Sequence, residues 1–324
     1  MSILVTGCAG FIGFHFCNLF LHKTKKTSKV IYGIDNLNAY YDIELKKSRL
    51  SILKKNKKFI FNKLDITNSN SLEKFIKKNK IKIIIHLAAQ AGVRYSIKNP
   101  KAYLDSNLIG FFNILETSRK NKIKHLVFAS TSSVYGNSEK FPLLEKQNTD
   151  NPMSFYAATK KSNEVMAYSY SNLFKIPCTG LRFFTVYGPY GRPDMALFKF
   201  TKSIISKKNI ELFNNGKHVR DFTYIDDVTE SIYRLLKKPS KQNIPYNIFN
   251  VGNSKPEKLL FFLQEIEKNL QIKSKAINKK MQKGDVYKTH ANVDKLVKKI
   301  NYKPKTKLKI GIKQYIEWYK NYYK

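Results

Sequence analysis

Short apolar runs alternate with amphipathic stretches through the first half of the chain. The apolar runs predict β-strands at 3–5, 30–35, 59–61, 83–89, 126–129 and 179–184. Between them, apolar residues at helical spacing predict helices at 12–22, 43–54, 69–79, 100–121 and 156–173. Alternation of strands and helices at this spacing indicates a parallel sheet that is covered by helices on both faces.

The pattern becomes looser after residue 184. One further strand is predicted at 246–251, where the chain rejoins the first sheet, and 310–319 has apolar residues at helical spacing. We therefore expect an α/β protein with a first domain over residues 1–184 and a smaller C-terminal α/β subdomain over most of 185–324. With 324 residues and 42% hydrophobic content, the chain is large enough to bury a core in this arrangement.

Three glycines follow the first strand at the spacing G-x-x-G-x-x-G. Gly7 would make a tight turn, Gly10 would let the backbone approach a pyrophosphate, and Gly13 would let the next helix pack close to the sheet. The first helical residues, Phe11 and Ile12, would present N–H groups to that anion. A strand, a glycine turn and a helix form the context of a dinucleotide-binding fingerprint, although the usual spacing is G-x-G-x-x-G and a simple glycine turn is the competing interpretation.

Carboxylates follow the second and third predicted strands. Asp35 stands 22 residues after Gly13, where an acid bonds the adenosine ribose and repels a 2′-phosphate, which favours NAD over NADP. Asp65 would either bond the adenine amino group or cap the following helix. Small residues after the fourth strand suit close passage of a cofactor, whereas His86 is interpreted as a core residue. The other candidates for the cofactor site are Asn36, Ile66, Ala88, Ala89, Gln90 and Asn107.

Tyr156 and Lys160 are four residues apart on a predicted helix, so both side chains project from one face. A fixed cation beside a phenol lowers the phenol's pKa from about 10, which equips Tyr156 to take a proton from an alcohol. The fifth strand ends in the hydroxyls of Thr131, Ser132 and Ser133. Because parallel sheets place their sites at the carboxyl ends of the strands, these groups and the glycine turn predict a dehydrogenase-type site.

The chain carries a formal net charge of +37, from 60 basic and 23 acidic residues. The basic residues are mainly Lys, with only seven Arg, and they recur along every polar stretch, which is typical of compositional bias. We therefore expect no specific nucleic-acid partner, although the positive field would attract a dianionic nucleotide.

No apolar run approaches the ~20 residues of a membrane span, and the first strand starts where a signal peptide would stand. The three cysteines, Cys8, Cys17 and Cys178, have neither disulfide nor metal-site spacing. These features predict a reduced, cytoplasmic protein without a membrane partner or a metal site.

Taken together, the glycine turn, Asp35, the hydroxyl cluster and Tyr-x-x-x-Lys resemble the extended short-chain dehydrogenase/reductase family, whose fold is a Rossmann-type doubly wound parallel sheet. Within this family the chain is similar to the UDP-glucuronate 4-epimerases, which are NAD-dependent isomerases of nucleotide sugars. The similarity covers nearly the whole chain and is carried by the segments 33–42, 88–96, 182–189, 191–201, 220–227 and 281–286. It implies an NAD cofactor, a UDP-sugar substrate, and a homodimer that pairs through helices 100–121 and 156–173.

The resemblance implies that hydride leaves C4 of the sugar and returns to its opposite face. In this scheme Tyr156, as phenolate, removes the C4 hydroxyl proton. Lys160 lowers the pKa of that tyrosine and bonds the nicotinamide ribose, and Thr131 bonds the C4 oxygen. The product is the C4 epimer of the substrate, so that UDP-glucuronate becomes UDP-galacturonate.

The resemblance also assigns the substrate contacts. Thr185 stands where related neutral-sugar epimerases usually carry Asn, and with Arg192 it suits a C5 carboxylate. Arg220 and Asp285 match positions that hold the diphosphate and the uridine ribose. Arg94 would bond a carboxylate or phosphate or make a structural salt bridge, and Phe198 and Phe213 would flank uracil or belong to the core. The remaining candidates for the substrate site are Ser132, Ser133 and Ala196.

Other members of the family differ at the hydroxyl cluster. Sugar 4,6-dehydratases need an Asp-Glu pair after the Thr, and UDP-glucuronate decarboxylases typically carry Glu where Ser133 stands. An epimerase of neutral UDP-hexoses, a UDP-glucuronate decarboxylase, and a non-catalytic NAD(H)- or RNA-binding protein are the competing interpretations.

Overall fold

The computed structural model describes residues 2–323 of the chain. Its strands, in chain order, are β1 (Ser2–Thr6), β2 (Ile31–Asp35), β3 (Phe59–Lys63), β4 (Ile81–His86), β5 (His125–Thr131), β6 (Cys178–Phe183), β7 (Thr185–Tyr187), β8 (Ile210–Phe213), β9 (Val219–Tyr224), β10 (Tyr246–Val251), β11 (Pro256–Lys258) and β12 (Ala276–Lys279).

The helices are α1 (Phe11–Lys23), α2 (Ile43–Lys54), α3 (Ser69–Lys78), α4 (Val93–Lys98), α5 (Pro100–Tyr103), α6 (Gly110–Lys120), α7 (Phe155–Phe174), α8 (Ala196–Ile205), α9 (Ile225–Leu236), α10 (Leu259–Leu270), α11 (Asp294–Ile300) and α12 (Leu308–Tyr322). A π-helical segment, Leu104–Ile109, joins α5 to α6, and Ser132–Tyr135 and Asn214–Gly216 form short 3₁₀ turns.

Seven strands form one parallel sheet in the order β10-β6-β5-β4-β1-β2-β3. The connections reverse direction at β1, because the chain first moves outward to β3 and then crosses back to β4 on the other side of β1. This confirms the doubly wound α/β fold that the sequence pattern predicts. The crevice that such a reversal opens lies at the carboxyl ends of β1 and β4, where both strands end in buried polar residues.

The sheet is buried on both faces. Ile3 and Val5 belong to one apolar cluster, whereas Leu4 between them belongs to the cluster on the opposite face. Residues 83–85 of β4 alternate in the same way, and four of these six side chains have no exposed surface. Side chains of a strand point alternately to the two faces, so a run that is apolar at every position marks a strand covered on both sides.

Two small sheets complete the fold, in the orders β11-β9-β7 and β12-β8. A core of their own lies under them, with Phe222 of β9 stacked on Phe262 of α10 at 4.3 Å between ring centroids. The chain then returns to the large sheet, where β10 pairs with β6 along its whole length from Tyr246 to Val251.

The helix predicted at 100–121 is interrupted. The segment Leu104–Ile109 is π-helical, and a separate short helix, α4, precedes it where no helix was predicted. Asn107 lies within this π-helical segment and is its buried residue. Within residues 2–323, no helix is long and apolar enough to cross a membrane.

Candidate active site

A cleft of about 870 Å³ opens at the carboxyl ends of the central strands. Its walls include residues from the turns after β1, β2, β3, β4 and β5, the start of α7, and the segment after β6. The predicted site residues that line it are Gly7, Gly10, Phe11, Ile12, Gly13, Asp35, Asn36, Asp65, Ile66, Ala88, Ala89, Gln90, Thr131, Ser132, Ser133, Tyr156, Lys160, Thr185 and Arg192.

The glycine turn is too crowded for side chains. Gly7 has φ of +71°, and a Cβ there would lie 2.7 Å from the backbone nitrogen of Ala88. A Cβ on Gly13 would lie 2.1 Å from the carbonyl oxygen of Gly7, so the helix can approach the turn only without one. Helix α1 begins after Gly10, with no side-chain cap and no acidic residue in its first turn. Its first N–H groups therefore face the cleft as a site for an anion.

Asp35 and Asp65, the two carboxylates predicted for the cofactor site, stabilise the turns that follow β2 and β3. Asp35 accepts hydrogen bonds from the N–H groups of Ala9 at 3.1 Å and Leu37 at 2.9 Å. Asp65 accepts a hydrogen bond from Asn36 Nδ2 at 2.8 Å, which joins the turns after β2 and β3. Helix α3 is capped by Asn68, so the interpretation of Asp65 as its cap is wrong.

Tyr156, Lys160 and Thr131 meet in the cleft. Lys160 is buried, and its Nζ donates a hydrogen bond to the carbonyl oxygen of Ala129 at 3.0 Å, at the end of β5. Burial lowers the pKa of Lys160 to about 8. Burial also raises the pKa of Tyr156, while the charge of Arg192 and the nearby Thr131 hydroxyl act in the opposite direction. Arg192, predicted from the sequence only as a substrate contact, is thus the cation whose charge favours the phenolate. Burial outweighs it, so the net shift of the Tyr156 pKa is upward and not downward as the sequence predicts.

Arg192 is held by a carboxylate of its own loop. Its Nε donates to Asp194 Oδ1 at 2.9 Å, and its Nη2 bonds the other carboxylate oxygen and the carbonyl of Ala91. Tyr40, from the turn after β2, donates to the same carboxylate at 3.1 Å. The guanidinium therefore has a fixed orientation, with Nη1 left without a partner among the described residues.

The segment that carries Arg192, residues 188–195 (the 188–195 loop), is tied to the glycine turn and to α1. Arg49 has no exposed surface and donates to the carbonyl oxygens of Ala9 at 2.8 Å and Tyr190 at 2.7 Å. His15 of α1 bonds the carbonyl oxygen of Pro189 at 2.8 Å. The glycine turn and the 188–195 loop are therefore fixed relative to one another by one buried guanidinium.

Sequence reasoning missed Arg49, Tyr40 and Asp194. Arg49 lies four residues from both Leu45 and Leu53, which are buried, so a charge on that apolar face of α2 was a usable signal. Tyr40 and Asp194 both lie in segments that carried the family resemblance, but nothing in the local pattern joins them.

Four predicted substrate residues form a separate group beside the cleft. Asp285 accepts a hydrogen bond from Arg220 Nη2 at 3.0 Å and lies 3.8 Å from Arg94 Nη2. The Arg94 guanidinium stacks over the ring of Phe213 at 4.8 Å. None of the four lines the 870 Å³ cleft itself, although Val93, next to Arg94, does. We call these four residues the rim group, because they adjoin the cleft next to Val93.

Three predicted residues have other positions. Asn107 is buried behind the cleft wall, where its side chain accepts from the N–H of Gln90 at 2.8 Å and donates to the carbonyl of the same residue at 3.0 Å. Phe198 packs on Tyr319 in the smaller core, which agrees with the core interpretation and not with a contact to uracil. Ala196 lines a small apolar pocket beside Phe198, behind the 188–195 loop.

Comparison with known proteins agrees with this geometry. Residues 3–252 match the NAD-dependent epimerase/dehydratase family. The chain is 47% identical to Protein CapI of Staphylococcus aureus over the whole of both chains. It is 42% identical to a probable UDP-glucuronate 4-epimerase of Rhizobium meliloti, with 100% of this chain and 98% of that protein covered.

Among solved structures, UDP-glucuronic acid 4-epimerase from Bacillus cereus, in complex with UDP-glucuronic acid and NAD, superposes with a TM-score of 0.92. The two sequences are 33% identical, and both chains are covered in full. The motifs, the doubly wound sheet and these comparisons agree, and the chain belongs to the NAD-dependent epimerase/dehydratase family.

Proposed function

We propose that the protein is an NAD-dependent isomerase that converts UDP-glucuronate to UDP-galacturonate by epimerisation at C4. The observation that carries this proposal is the meeting of Tyr156, Lys160 and Thr131 with Arg192 in a single cleft. The first three residues are suited to oxidise a sugar alcohol reversibly. The fourth supplies a fixed positive charge on the side where the sugar acid would lie.

The cleft fits a dinucleotide. Free N–H groups at the start of α1 suit a pyrophosphate, and Asp35 suits a ribose without a 2′-phosphate. The Nε2 group of Gln90 is buried and has no hydrogen-bond partner among residues 2–323, so a donor is available for a bound group. When bound, NAD⁺ supplies a hydride acceptor that later returns the hydride to C4.

The protein's part in the reaction is proton transfer. Tyr156 as phenolate takes the C4 hydroxyl proton as the hydride leaves C4, and Thr131 stabilises the oxygen by a hydrogen bond. Lys160 holds positive charge beneath this site and can bond a ribose with the hydrogens that Ala129 does not take. After the 4-keto sugar has turned over, Tyr156 returns the proton to oxygen as C4 regains hydride on its opposite face.

Sugar-acid recognition is assigned to Arg192, Thr185, Ser132 and Ser133. The free Nη1 group of Arg192 offers charge-assisted hydrogen bonds, and the three hydroxyls offer neutral ones. A 4-keto glucuronate is a β-keto acid that readily loses CO₂, so its carboxylate must be held in an orientation that discourages cleavage. No carboxylate side chain occupies position 133 to promote that loss.

The rim group is assigned to the UDP part of the substrate. Arg220 and Arg94 offer two positive charges to the diphosphate, and Asp285 offers a carboxylate to the uridine ribose. Phe213 is the aromatic face available for uracil. With these assignments the sugar would lie between the rim group and Tyr156, which is the order that the chemistry requires.

The organisation of the chain is part of the proposal. Residues 1–184, joined by strand 246–251, would form the NAD-binding domain, and the rest of 185–324 would bind the nucleotide sugar. The three cysteines are buried and unpaired, which supports a reducing, cytoplasmic location.

A homodimer is supported by apolar side chains on neighbouring helices. Ile109, the last residue of the π-helical segment, and Phe112 of α6 are 45% and 47% exposed, and Val165 and Leu173 on α7 are 57% and 66% exposed. Apolar groups this exposed on two packed helices suit burial against a second copy of the same surface.

Turnover of two separate substrates tests the proposal. Purified protein is supplied with UDP-glucuronate or UDP-glucose, and the products are separated by chromatography. We expect UDP-galacturonate from the first and little product from the second. Turnover of the neutral sugar alone would assign a hexose epimerase. A UDP-pentose with release of CO₂ would assign a decarboxylase, and no turnover despite NAD binding would leave a non-catalytic protein.

A further inference from the structure

Six connections of the large sheet lie on one face of the molecule. They lead from helices into strands, namely 24–30 into β2, 55–58 into β3, 79–80 into β4, 121–124 into β5, 175–177 into β6 and 237–245 into β10. Because the strands are parallel, their amino ends share one edge of the sheet. That edge is opposite the carboxyl ends, where the cleft opens.

These connections, the last residues of the helices before them and the first two residues of β4 are rich in basic residues. We call them the basic edge, and they comprise 23–30, 54–58, 77–82, 119–124, 175–177 and 237–245. Together they contain twenty of the chain's 60 Lys and Arg residues and no Asp or Glu. The sequence pattern predicts basic residues scattered over every polar face, and the topology corrects this by gathering a third of them on one edge.

Most of this charge is not neutralised. Glu230, Glu73 and Glu116 pair with Lys23, Lys120 and Arg119, all at the ends of helices. The other seventeen cations make no ion pair within residues 2–323. A helix dipole favours cations in the last turn of a helix, which accounts for one or two lysines per helix. It does not account for lysines beyond the helix ends, of which Lys25, Lys57 and Lys124 are examples.

We propose that the basic edge docks on an anionic phospholipid surface, which replaces the expectation from the sequence that the protein has no membrane partner. Nineteen of its twenty cations are Lys, which act as point charges and suit a diffuse layer of headgroups. The edge contains no aromatic residue, so it lacks the stacking surfaces that single-stranded RNA requires. With the edge against a membrane, the cleft faces away from it and stays accessible to its substrate.

Charge alone would drive this docking. Ile81, Ile123 and Ile176 of the edge are buried, and Val30 and Ile244 are half-buried, so the edge has no fully exposed aliphatic side chain to insert among acyl chains. The interaction is therefore reversible by salt, since charges separated by more than about 8 Å are screened at physiological ionic strength. The proposal does not depend on the reaction that the cleft performs.

The test is co-sedimentation of the full chain with vesicles. Vesicles of phosphatidylcholine alone are compared with vesicles that contain about one-third phosphatidylglycerol, at about 0.1 M and about 0.5 M salt. The edge variant carries Lys25→Glu, Lys55→Glu, Lys78→Glu and Lys122→Glu, one substitution on each of four connections or helix ends. The matched control carries Lys202→Glu, Lys208→Glu, Lys255→Glu and Lys268→Glu, which are exposed elsewhere and change the net charge equally.

We expect the wild-type chain to bind only the anionic vesicles and to dissociate at the higher salt concentration. The edge variant should bind at least about tenfold more weakly, and the control should resemble wild type. A variant with the same four edge lysines changed to Gln should bind anionic vesicles with an affinity between those of the wild type and the Glu edge variant. Because it introduces no negative charge, it shows whether weak binding of the Glu variant arises from misfolding.

Three results would overturn the proposal. One is a wild-type chain that does not bind anionic vesicles. Another is equal loss of binding in the edge and control variants, which would make net charge the only cause. The third is tight, edge-dependent binding of a homopolymeric RNA without vesicle binding, which would assign the edge to nucleic acid.

Discussion

Tyr40 donates a hydrogen bond to Asp194 at 3.1 Å and thereby joins the turn after β2 to the 188–195 loop across the cleft. Asp194 in turn pairs with Arg192, whose charge acts on Tyr156. The acidity of the Tyr156 phenol therefore depends on a series of three interactions that begins at the turn after β2. Asp194 is the middle of that series, and its negative charge partly cancels the positive charge of Arg192.

Asp194→Asn should move the pH profile of turnover. Without the negative charge, Arg192 favours the Tyr156 phenolate more strongly, so the pKa of Tyr156 falls. The acid limb of kcat against pH should shift to lower pH by roughly half a unit to one unit. Tyr40→Phe removes one hydrogen bond and no charge, so the acid limb of its kcat against pH should stay near that of the wild-type protein. An unmoved limb in Asp194→Asn would show that Arg192 does not tune Tyr156.

Tyr156→Phe should abolish most of the turnover. The substitution removes the group that carries the proton and leaves the ring that packs near Tyr103, so a loss of ~10²-fold or more in kcat is expected with the fold intact. Tyr168→Phe changes an exposed tyrosine on the same helix and should have little effect. Near-wild-type kcat in Tyr156→Phe would remove the general-base role.

Asp221→Asn should destabilise the fold. Asp221 is fully buried and accepts hydrogen bonds from the N–H groups of Asn253, Ser254 and Ala291 at 2.8 to 3.0 Å. An amide in its place turns one acceptor into a donor that faces other donors. The free energy of unfolding should fall by about 2–4 kcal/mol.

Urea denaturation would measure that change, with an unchanged slope indicating a comparable unfolded state. Asp105→Asn breaks an exposed pair with Lys101 and should cost at most about 1 kcal/mol. Equal effects of the two substitutions would mean that the backbone hydrogen bonds to Asp221 contribute little.

The double substitution Val165→Glu and Leu173→Glu should yield a monomer. Both side chains are exposed on α7, and burying two carboxylates in an interface between copies is costly. Light scattering coupled to size-exclusion chromatography gives the mass directly. Ile272→Glu and Ile310→Glu, which are exposed elsewhere, should leave the dimer unchanged. A wild-type chain that already elutes as a monomer would refute the proposed dimer.

The parts of the site that lie close together in sequence were predictable. Gly7 and Gly13 lie close together around the start of α1, and Tyr156 and Lys160 lie one helical turn apart on α7. In both pairs the spacing along the sequence determines the relative positions of the residues. Asp35 is the last residue of β2, and the alternation of strands and helices along the chain predicts that β2 belongs to the parallel sheet. The doubly wound sheet was predictable for the same reason, since every crossover joins neighbouring or nearby strands.

Long-range contacts between loops were not predictable. Arg49 meets Tyr190 across 141 positions, and no local pattern relates the two. The apolar spacing of residues 100–121 predicts one regular helix, so neither the π turn at Leu104–Ile109 nor the burial of Asn107 behind the cleft wall could be anticipated. Phe198 could equally face a ligand or a core until the positions of α12 and its tyrosines were known.

The pairing of β10 with β6 has a consequence for engineering. The polypeptide leaves the large sheet after β6 and comes back only at Tyr246. A chimera that exchanges the part proposed to bind the sugar, and keeps the large sheet, therefore needs three junctions, one after β6 and one on each side of β10. A truncation at the first junction would strip the outermost strand from the sheet and expose β6 as an unpaired, aggregation-prone edge.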